Sequence, residues 1–167
     1  MALISKGEFV EDGWRRLADE EELPKSGHCV VSQARLGEAL ETLAPDAPLG
    51  VLVANTTDPE TLEPHFARLA LIAVAFPATG DGRGYSLARL IRRLGFTGEL
   101  RASGKLIADQ ATHALRCGFD TIEIPTEIAK RQDAAQWKGA SLAYDAFYQQ
   151  GYANRAAILA ERRKSTT

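Results

Sequence analysis

Strand, turn and amphipathic helix follow one another repeatedly along this chain, and this repetition restricts the folds open to it. Five apolar segments predict the strands: residues 28–31, 49–54, 71–76, 99–103 and 121–125. The segments between them space their apolar residues as helices do; in residues 86–94, Leu87 and Leu94 share one face. Strands separated by single helices normally pair in parallel through right-handed crossovers. We therefore expect an α/β fold with a mainly parallel sheet of about five strands.

The two ends of the chain depart from this repeat. Near the N-terminus, two apolar pairs at residues 3–4 and 9–10 flank Ser5-Lys6-Gly7, a pattern typical of a small hairpin. Beyond Pro125 the sequence is helical in character. We expect four residues to anchor the packing of these C-terminal helices: Trp137, Leu142, Phe147 and Tyr148. No linker divides the chain, so residues 1–167 are predicted to form a single domain.

Two architectures fit the predicted strands and helices. One is a doubly wound open sheet with helices on both faces, and the other is half of a (β/α) barrel, since a complete barrel needs about 250 residues. Glu99, Arg101 and Ser103 alternate onto one face of their strand, and Thr121 and Glu123 do so on the next. A face this polar favours the barrel-like interior over a helix-covered sheet, and the doubly wound alternative stays open.

Composition excludes several classes of protein. The chain has 20 basic and 22 acidic residues, which gives no bulk charge for binding nucleic acid or an anionic membrane. No apolar run is long enough to span a bilayer, and the first residues do not read as a secretory signal. Two separated cysteines and three scattered histidines offer no spacing for a metal, haem or iron–sulfur cluster. We expect a cytoplasmic protein without a tightly bound metal.

The turn after the third predicted strand is the leading candidate for a functional site. Ligands in α/β sheets bind at the carboxyl ends of the strands. Here Asp81, Arg83 and Tyr85 alternate with glycines, and Gly82 and Gly84 allow the backbone to approach a ligand closely. The following helix N-terminus and the Arg83 guanidinium both suit an anion. The alternative is a turn whose glycines only make the corner.

Two further groups of residues could contribute chemistry. Arg101 and Ser103 lie on the next predicted strand, and Glu123 or Glu99 could fix the arginine, either as an anion site or as a structural ion pair. Asp109, His113 and Cys117 recur at intervals of four on one predicted helix. That spacing allows a Cys-His-Asp relay, but residues along one helical line converge poorly, so inert packing of Cys117 is the competing interpretation.

Nucleotide-binding motifs do not match the glycine-rich turn. A P-loop requires Gly-x-x-x-x-Gly-Lys-[Ser/Thr], which is missing from the sequence. The dinucleotide pattern Gly-x-Gly-x-x-Gly, counted from Gly82, places Leu87 where the third glycine belongs. The sequence therefore leaves the cofactor unknown.

Several stretches together resemble one bacterial family. From residue 76 to residue 120 they are Asp-Gly-Arg-Gly-Tyr-Ser, Arg-Leu-Gly-Phe-x-Gly-Glu-Leu-Arg-Ala-x-Gly, Asp109-Gln110 and Arg-Cys-Gly-Phe-Asp, and near the N-terminus Gly-x-Phe-Val-x-Asp-x-Trp. The chain thereby resembles a family of unknown function whose members are encoded beside assimilatory sulfite reductase and are labelled oxidoreductases of sulfite reduction. The resemblance implies a role in sulfate assimilation and supplies no catalytic residue.

Taken together, these features give a leading hypothesis and two alternatives. The leading hypothesis is a protein of reductive sulfur assimilation in which Arg83 and Arg101 hold a small anion or an anionic cofactor group. As an enzyme it would use Asp81 or Asp109 to move a proton and Tyr85 to donate a hydrogen bond. The alternatives are a non-catalytic accessory that docks on sulfite reductase or its electron donor through the C-terminal aromatic helices, and a nicotinamide or flavin oxidoreductase. The sequence does not decide whether the protein is catalytic or whether it forms a homodimer.

Overall fold

A curled sheet of eight strands is the framework of the protein. The computed structural model describes residues 1–24 and 27–142. The strands are β1 (Ala2–Ser5), β2 (Glu8–Val10), β3 (Arg15–Arg16), β4 (Cys29–Ser32), β5 (Leu49–Val53), β6 (Leu69–Phe76), β7 (Glu99–Gly104) and β8 (Thr121–Ile124). The helices are α1 (Leu36–Thr42), α2 (Arg83–Arg93), α3 (Ala111–Arg116), α4 (Thr126–Ala129) and α5 (Ala134–Leu142). Short 3₁₀ turns, such as Pro59–Thr61 and Ala108–Gln110, complete the described secondary structure.

The strand order decides between the two predicted architectures. The order is β2-β1-β8-β7-β6-β5-β4-β3, and β3 to β8 all run parallel. Each parallel strand lies beside the one that follows it in the chain, so every crossover moves in the same direction. Because such crossovers share one hand, the helices that they contain lie on the same face of the sheet. The sheet is therefore a half-barrel, and the doubly wound alternative, in which the strand order reverses, is wrong.

The sheet is larger than the predicted five parallel strands. The N-terminal hairpin is present, with Leu3 opposite Val10 in β1 and β2. Its first strand also pairs antiparallel with β8, where Ile4 lies opposite Ile122, so the sheet is mixed. Two-residue β3 extends the other edge. The sequence predicts the hairpin itself but not its docking on β8 or the edge strand β3, because both depend on contacts between distant parts of the chain.

The helix-covered face of the half-barrel carries the main core. Alternate strand residues such as Val51, Val74 and Leu100 point toward this side and are at most 1% exposed. Helix α2 covers them with Leu87 and Ile91, which its 3.6-residue period places on one face. This arrangement is the amphipathic helix on an apolar strand face that the sequence predicts.

The opposite, concave face has a different composition. A small separate cluster of Val30, Leu71 and Ala73 lies on it, with Trp14 and Leu52 packed alongside. Apart from Leu3, which lies opposite Glu123 on β1, the other buried strand side chains of this face are polar or charged: Arg101, Ser103, Thr121 and Glu123. The alternation that favoured a barrel-like interior in the sequence is therefore realised in the fold.

The predicted C-terminal helices are present in part. Trp137 on α5 is fully buried, as expected of a packing anchor. The side chain of Leu142, and Phe147 and Tyr148 altogether, lie outside the described residues. Within the described part of the chain, none of the helices is long and apolar enough to cross a membrane.

Candidate functional site

The glycine turn, residues 77–84, connects the carboxyl end of β6 to helix α2. Asp81 and Arg83 form a two-point ion pair there: Arg83 Nε donates to Asp81 Oδ1 at 2.9 Å, and Nη2 donates to Oδ2 at 2.7 Å. The Arg83 backbone amide donates to the same carboxylate at 3.2 Å. The Arg83 side chain is nevertheless 62% exposed. The turn therefore holds a guanidinium in a fixed orientation and leaves its outer edge open.

The electrostatics of the turn follow from this pair. Hydrogen bonds from Arg83 hold the pKa of the Asp81 carboxyl well below its usual range, and Asp81 in turn raises the pKa of Arg83. The side chain of Asn55, at the end of the neighbouring strand, lies beside the same carboxylate and lowers its pKa further. The Asn55 amide nitrogen is buried and makes no hydrogen bond of good geometry among the described residues. Asn55 therefore acts on the turn through its position beside the Asp81 carboxylate.

Gly84 and Tyr85 serve the packing of α2. A Cβ atom on Gly84 would lie 2.5 Å from the Phe76 ring, so only glycine lets the helix approach the strand this closely. The Tyr85 ring lies 5.0 Å from Phe76 and 4.5 Å from His113, centroid to centroid. Its hydroxyl is buried and has no hydrogen-bond partner in the described structure. Burial raises the pKa of Tyr85, with a smaller contribution from Cys117.

Of the three residues spaced at intervals of four, Asp109, His113 and Cys117, only the last two lie close together. His113 Nε2 lies 3.7 Å from Cys117 Sγ in the interface between α2 and α3. Burial raises the pKa of the Cys117 thiol, and Cys117 is only 1% exposed, so the sulfur is protonated and shielded. Asp109 is exposed on the preceding 3₁₀ turn and makes no hydrogen bond or ion pair in the described structure. A Cys-His-Asp relay is therefore not assembled in this conformation.

Arg101 lies on the concave face, at 2% exposure, and both edges of its guanidinium are occupied. Nη1 donates to Asp12 Oδ2 at 2.7 Å, while Nε and Nη2 donate to Glu99 Oε1 at 3.1 and 2.9 Å. Thr121 donates to the same Glu99 oxygen at 2.6 Å. Burial opposes the charged form of Arg101, but the two carboxylates outweigh it and raise its pKa.

A second ion pair crosses the same face. Arg16 Nη2 donates to Ser103 Oγ at 3.0 Å and to Glu123 Oε2 at 2.7 Å. Arg16 belongs to the edge strand β3, so its side chain spans the inside of the curled sheet to reach β7 and β8. The seven polar residues of this face are called the inner network below: Asp12, Arg16, Glu99, Arg101, Ser103, Thr121 and Glu123.

The structure distributes the predicted site residues over three places. Asp81, Gly82, Arg83 and Gly84 lie on the glycine turn, with Tyr85 turned into the helix layer. Arg101 and Ser103 belong to the inner network on the other face of the sheet. Asp109 lies apart, on the surface of the helix layer.

Sequence reasoning missed two members of the inner network. Asp12 lies in the irregular connection after the hairpin and Arg16 in the two-residue strand β3 that follows it, so no strand or helix period marks either residue. The signal that could have found Asp12 is the N-terminal motif Gly-x-Phe-Val-x-Asp-x-Trp, whose aspartate it is.

A groove of about 360 Å³ lies elsewhere, between the hairpin and helix α5. It is lined by three residues with small or no side chains and three with long ones: Gly7, Ala134 and Ala135, and Glu8, Phe9 and Lys138. Over residues 1–24 and 27–142, no three histidine, cysteine or carboxylate side chains cluster as a metal site would require. Within the same residues, the glycine turn and the inner network each bring several charged and polar side chains together.

Comparison with known proteins identifies one family. Residues 50–159 match the family model DUF934, described as a bacterial protein of unknown function. A search of curated proteins finds no match. Because the matched residues span well over half of the sequence, the chain belongs to the DUF934 family.

Proposed function

We propose that this protein binds a small oxyanion at the glycine turn and serves reductive sulfur assimilation. The main support for this proposal is the Arg83 guanidinium, whose side chain is exposed. Asp81 accepts two hydrogen bonds from it, and the Nη1 edge of Arg83 faces solvent. An arginine oriented in this way loses little conformational freedom on binding, and its remaining N–H groups match two oxygens of an anion.

The surroundings of Arg83 support a binding role. The turn follows the carboxyl end of β6, where ligands of parallel sheets bind. Gly82 lies immediately before the guanidinium-bearing residue and carries no side chain that would block an approaching ligand. The Asn55 side chain supports the Asp81 carboxylate from the neighbouring strand and so helps to fix the Asp81–Arg83 pair. A purely structural corner does not require an arginine that points outward.

The link to sulfur metabolism rests on the family resemblance and on chemistry. Sulfite and sulfate are compact oxyanions of the kind that a guanidinium fork recognises. We assign Asp81 to orienting Arg83, since a carboxyl group with a lowered pKa is a poor proton donor near neutral pH. Tyr85 and Asp109 receive no role in the proposed binding step.

Calorimetric titration with sulfite, sulfate and phosphate tests the proposal. Arg83→Ala should weaken the binding of the preferred anion by tenfold or more, the loss typical of a hydrogen bond to a charged group. Arg93→Ala, which removes an exposed arginine from the last turn of the same helix, is the matched control and should bind like the parent. If the parent and Arg83→Ala bind the anion with equal affinity, the role of Arg83 is only to stabilise the turn.

A second candidate function is an accessory that docks on sulfite reductase or its electron donor. Edge strand β2 favours it, because Phe9 and Val10 are 39% and 42% exposed beside unpaired backbone groups. Sedimentation with purified sulfite reductase should show a complex that Phe9→Ser weakens. Leu90→Ser, an equally exposed leucine on α2, is the control and should leave the complex unchanged. Absence of any complex with either partner would remove this candidate.

A further inference from the structure

The connection between the hairpin and β3 crosses the open side of the half-barrel. Residues 11–14, called the strap below, leave β2 at one edge of the sheet and lead to β3 at the opposite edge. The strap therefore passes over the concave face, and two residues in or beside it, Asp12 and Arg16, reach down to the inner network.

Few contacts hold the strap in place. Within the described structure, the backbone of residues 11–14 makes no hydrogen bond to the sheet, and such bonds begin only where the Arg15 amide donates to the His28 carbonyl. The Trp14 amide donates to Asp12 itself, and the Trp14 ring lies 4.9 Å from that of His28. Two side-chain contacts thus hold the strap to the sheet: the ion pair from Asp12 to Arg101 and the packing of Trp14 against the small apolar cluster of the concave face.

The charged groups beneath the strap would allow an anionic ligand to replace Asp12. Arg101 is almost completely buried, and Glu99 on the same strand already supplies one negative charge to it. Asp12 supplies a second carboxylate from an exposed segment. The register neighbour of Arg101 on β6 is Ala73, which carries no polar group that could pair with the guanidinium in place of Asp12. A ligand with one carboxylate would restore the same charge and hydrogen bond if Asp12 withdrew.

We propose that Asp12 occupies a carboxylate-binding site on Arg101, and that a small carboxylate ligand takes this position when the strap lifts. Nη1 of Arg101 donates to the ligand, and Glu99 and Thr121 keep the guanidinium oriented from the other edge. The strap is then an internal competitor that keeps a buried arginine paired in the absence of the ligand. This site is separate from Arg83 and does not rest on the proposed function.

Acetate titrations at constant ionic strength, with chloride as the balancing anion, test the proposal. The background is Arg83→Ala, which removes the glycine-turn site. Adding Asp12→Asn, which keeps an oxygen acceptor for the Trp14 amide, should strengthen acetate binding at least tenfold because the internal competitor is lost. A third change, Arg101→Lys, should abolish the gain, since the ammonium cannot replace the planar fork.

Two further results would overturn the proposal. If the Asp12→Asn protein folds but binds acetate no more tightly than the Arg83→Ala background, there is no carboxylate site under the strap. Asp12→Ser is the second variant, in case the amide is not tolerated; if neither folds, the pair is required for the fold and is not exchangeable. Hydrogen exchange at residues 13 and 14 should also be faster in Asp12→Asn, and it should stay fast with acetate bound, because the ligand occupies the position of Asp12 and keeps the strap lifted. Failure of any of these leaves binding at Arg83 untouched.

Discussion

The two faces of the same strands are stabilised in opposite ways. On β7, Leu100 and Ala102 point toward the helices and are fully buried in an apolar core. Between them, Arg101 and Ser103 point to the concave side and are buried among charges. Residues one position apart along the chain thus meet either close-packed hydrocarbon or a network of ion pairs.

This difference shows what each face requires. An apolar face gains stability with the area it removes from water, and it tolerates changes that keep volume and shape. A buried charged face must be paired completely, because a single unpaired group loses its hydration without compensation. Arg101 meets this condition with three hydrogen bonds to carboxylates, one of which comes from the strap and two from its own strand.

The largest effect should come from breaking the apolar face. Leu100→Ala removes a fully buried side chain between the sheet and its helices, and we expect a loss of about 3 kcal/mol in the free energy of unfolding. Urea unfolding should show this loss equally at low and high salt. Leu100→Met, which nearly conserves the volume, is the control and should cost much less. A small loss for Leu100→Ala would mean that the core closes around the cavity.

A smaller loss is expected from the charged face of the same strand. Arg101→Leu leaves two carboxylates unpaired, but the Asp12 and Glu99 side chains are 29% and 26% exposed and can regain water. We expect a loss of about 2 kcal/mol, below the usual cost of breaking a fully buried pair. The triple change Arg101→Leu, Glu99→Gln and Asp12→Asn should recover part of it. Urea unfolding of both variants measures the difference, and a loss larger than that of Leu100→Ala would reverse the comparison of the two faces.

Much of the fold is readable from the sequence because its signals are local. The five core parallel strands and helix α2 follow from apolar periods and from glycine stops such as Gly95, which adopts a positive φ of 98°. Strand β3 is two arginines at an edge, a composition that no strand period reveals. The docking of β1 on β8 joins the first and the last described strands, which are far apart in the sequence, so no local pattern encodes it.

The candidate sites are readable only in part. The glycine turn contains its own pair, Asp81 and Arg83, two residues apart, so the sequence locates it. The partner of Arg101 depends on the register of β7 and β8, which places Thr121 opposite Arg101 and Glu123 opposite Ser103. Glu99 therefore forms the ion pair with Arg101 for which Glu123 was the first candidate. The sequence does not specify such a register, because every two-residue shift keeps the same faces.

A more modest effect is expected where the charged face meets solvent. Arg16→Ala should lower the free energy of unfolding by about 1 kcal/mol, because Glu123 beneath it is 7% exposed and loses its partner. High salt should reduce the difference, since the Arg16 side chain is 39% exposed. Arg15→Ala, whose partner Glu21 lies at the surface, is the matched control and should change stability little. Equal losses for Arg15→Ala and Arg16→Ala would mean that Arg16 contributes only as another surface charge.

The smallest effect should be a pH dependence on the helix-covered side. Although His113 is partly exposed, its ring lies against Tyr85 and Cys117, and burial, Arg89 and Arg116 together lower its pKa. The unfolded state then binds more protons around the ordinary histidine pKa of about 6.5, so stability is fully present above that pH and declines as the pH falls through it. Unfolding curves from pH 7.5 to 5.5 should show a shallow decline that His113→Gln flattens. His65→Gln, outside this interface, should keep it. A decline that persists unchanged in His113→Gln would show that His113 does not cause it, and the pH response would then not distinguish the helix-covered face from the charged face.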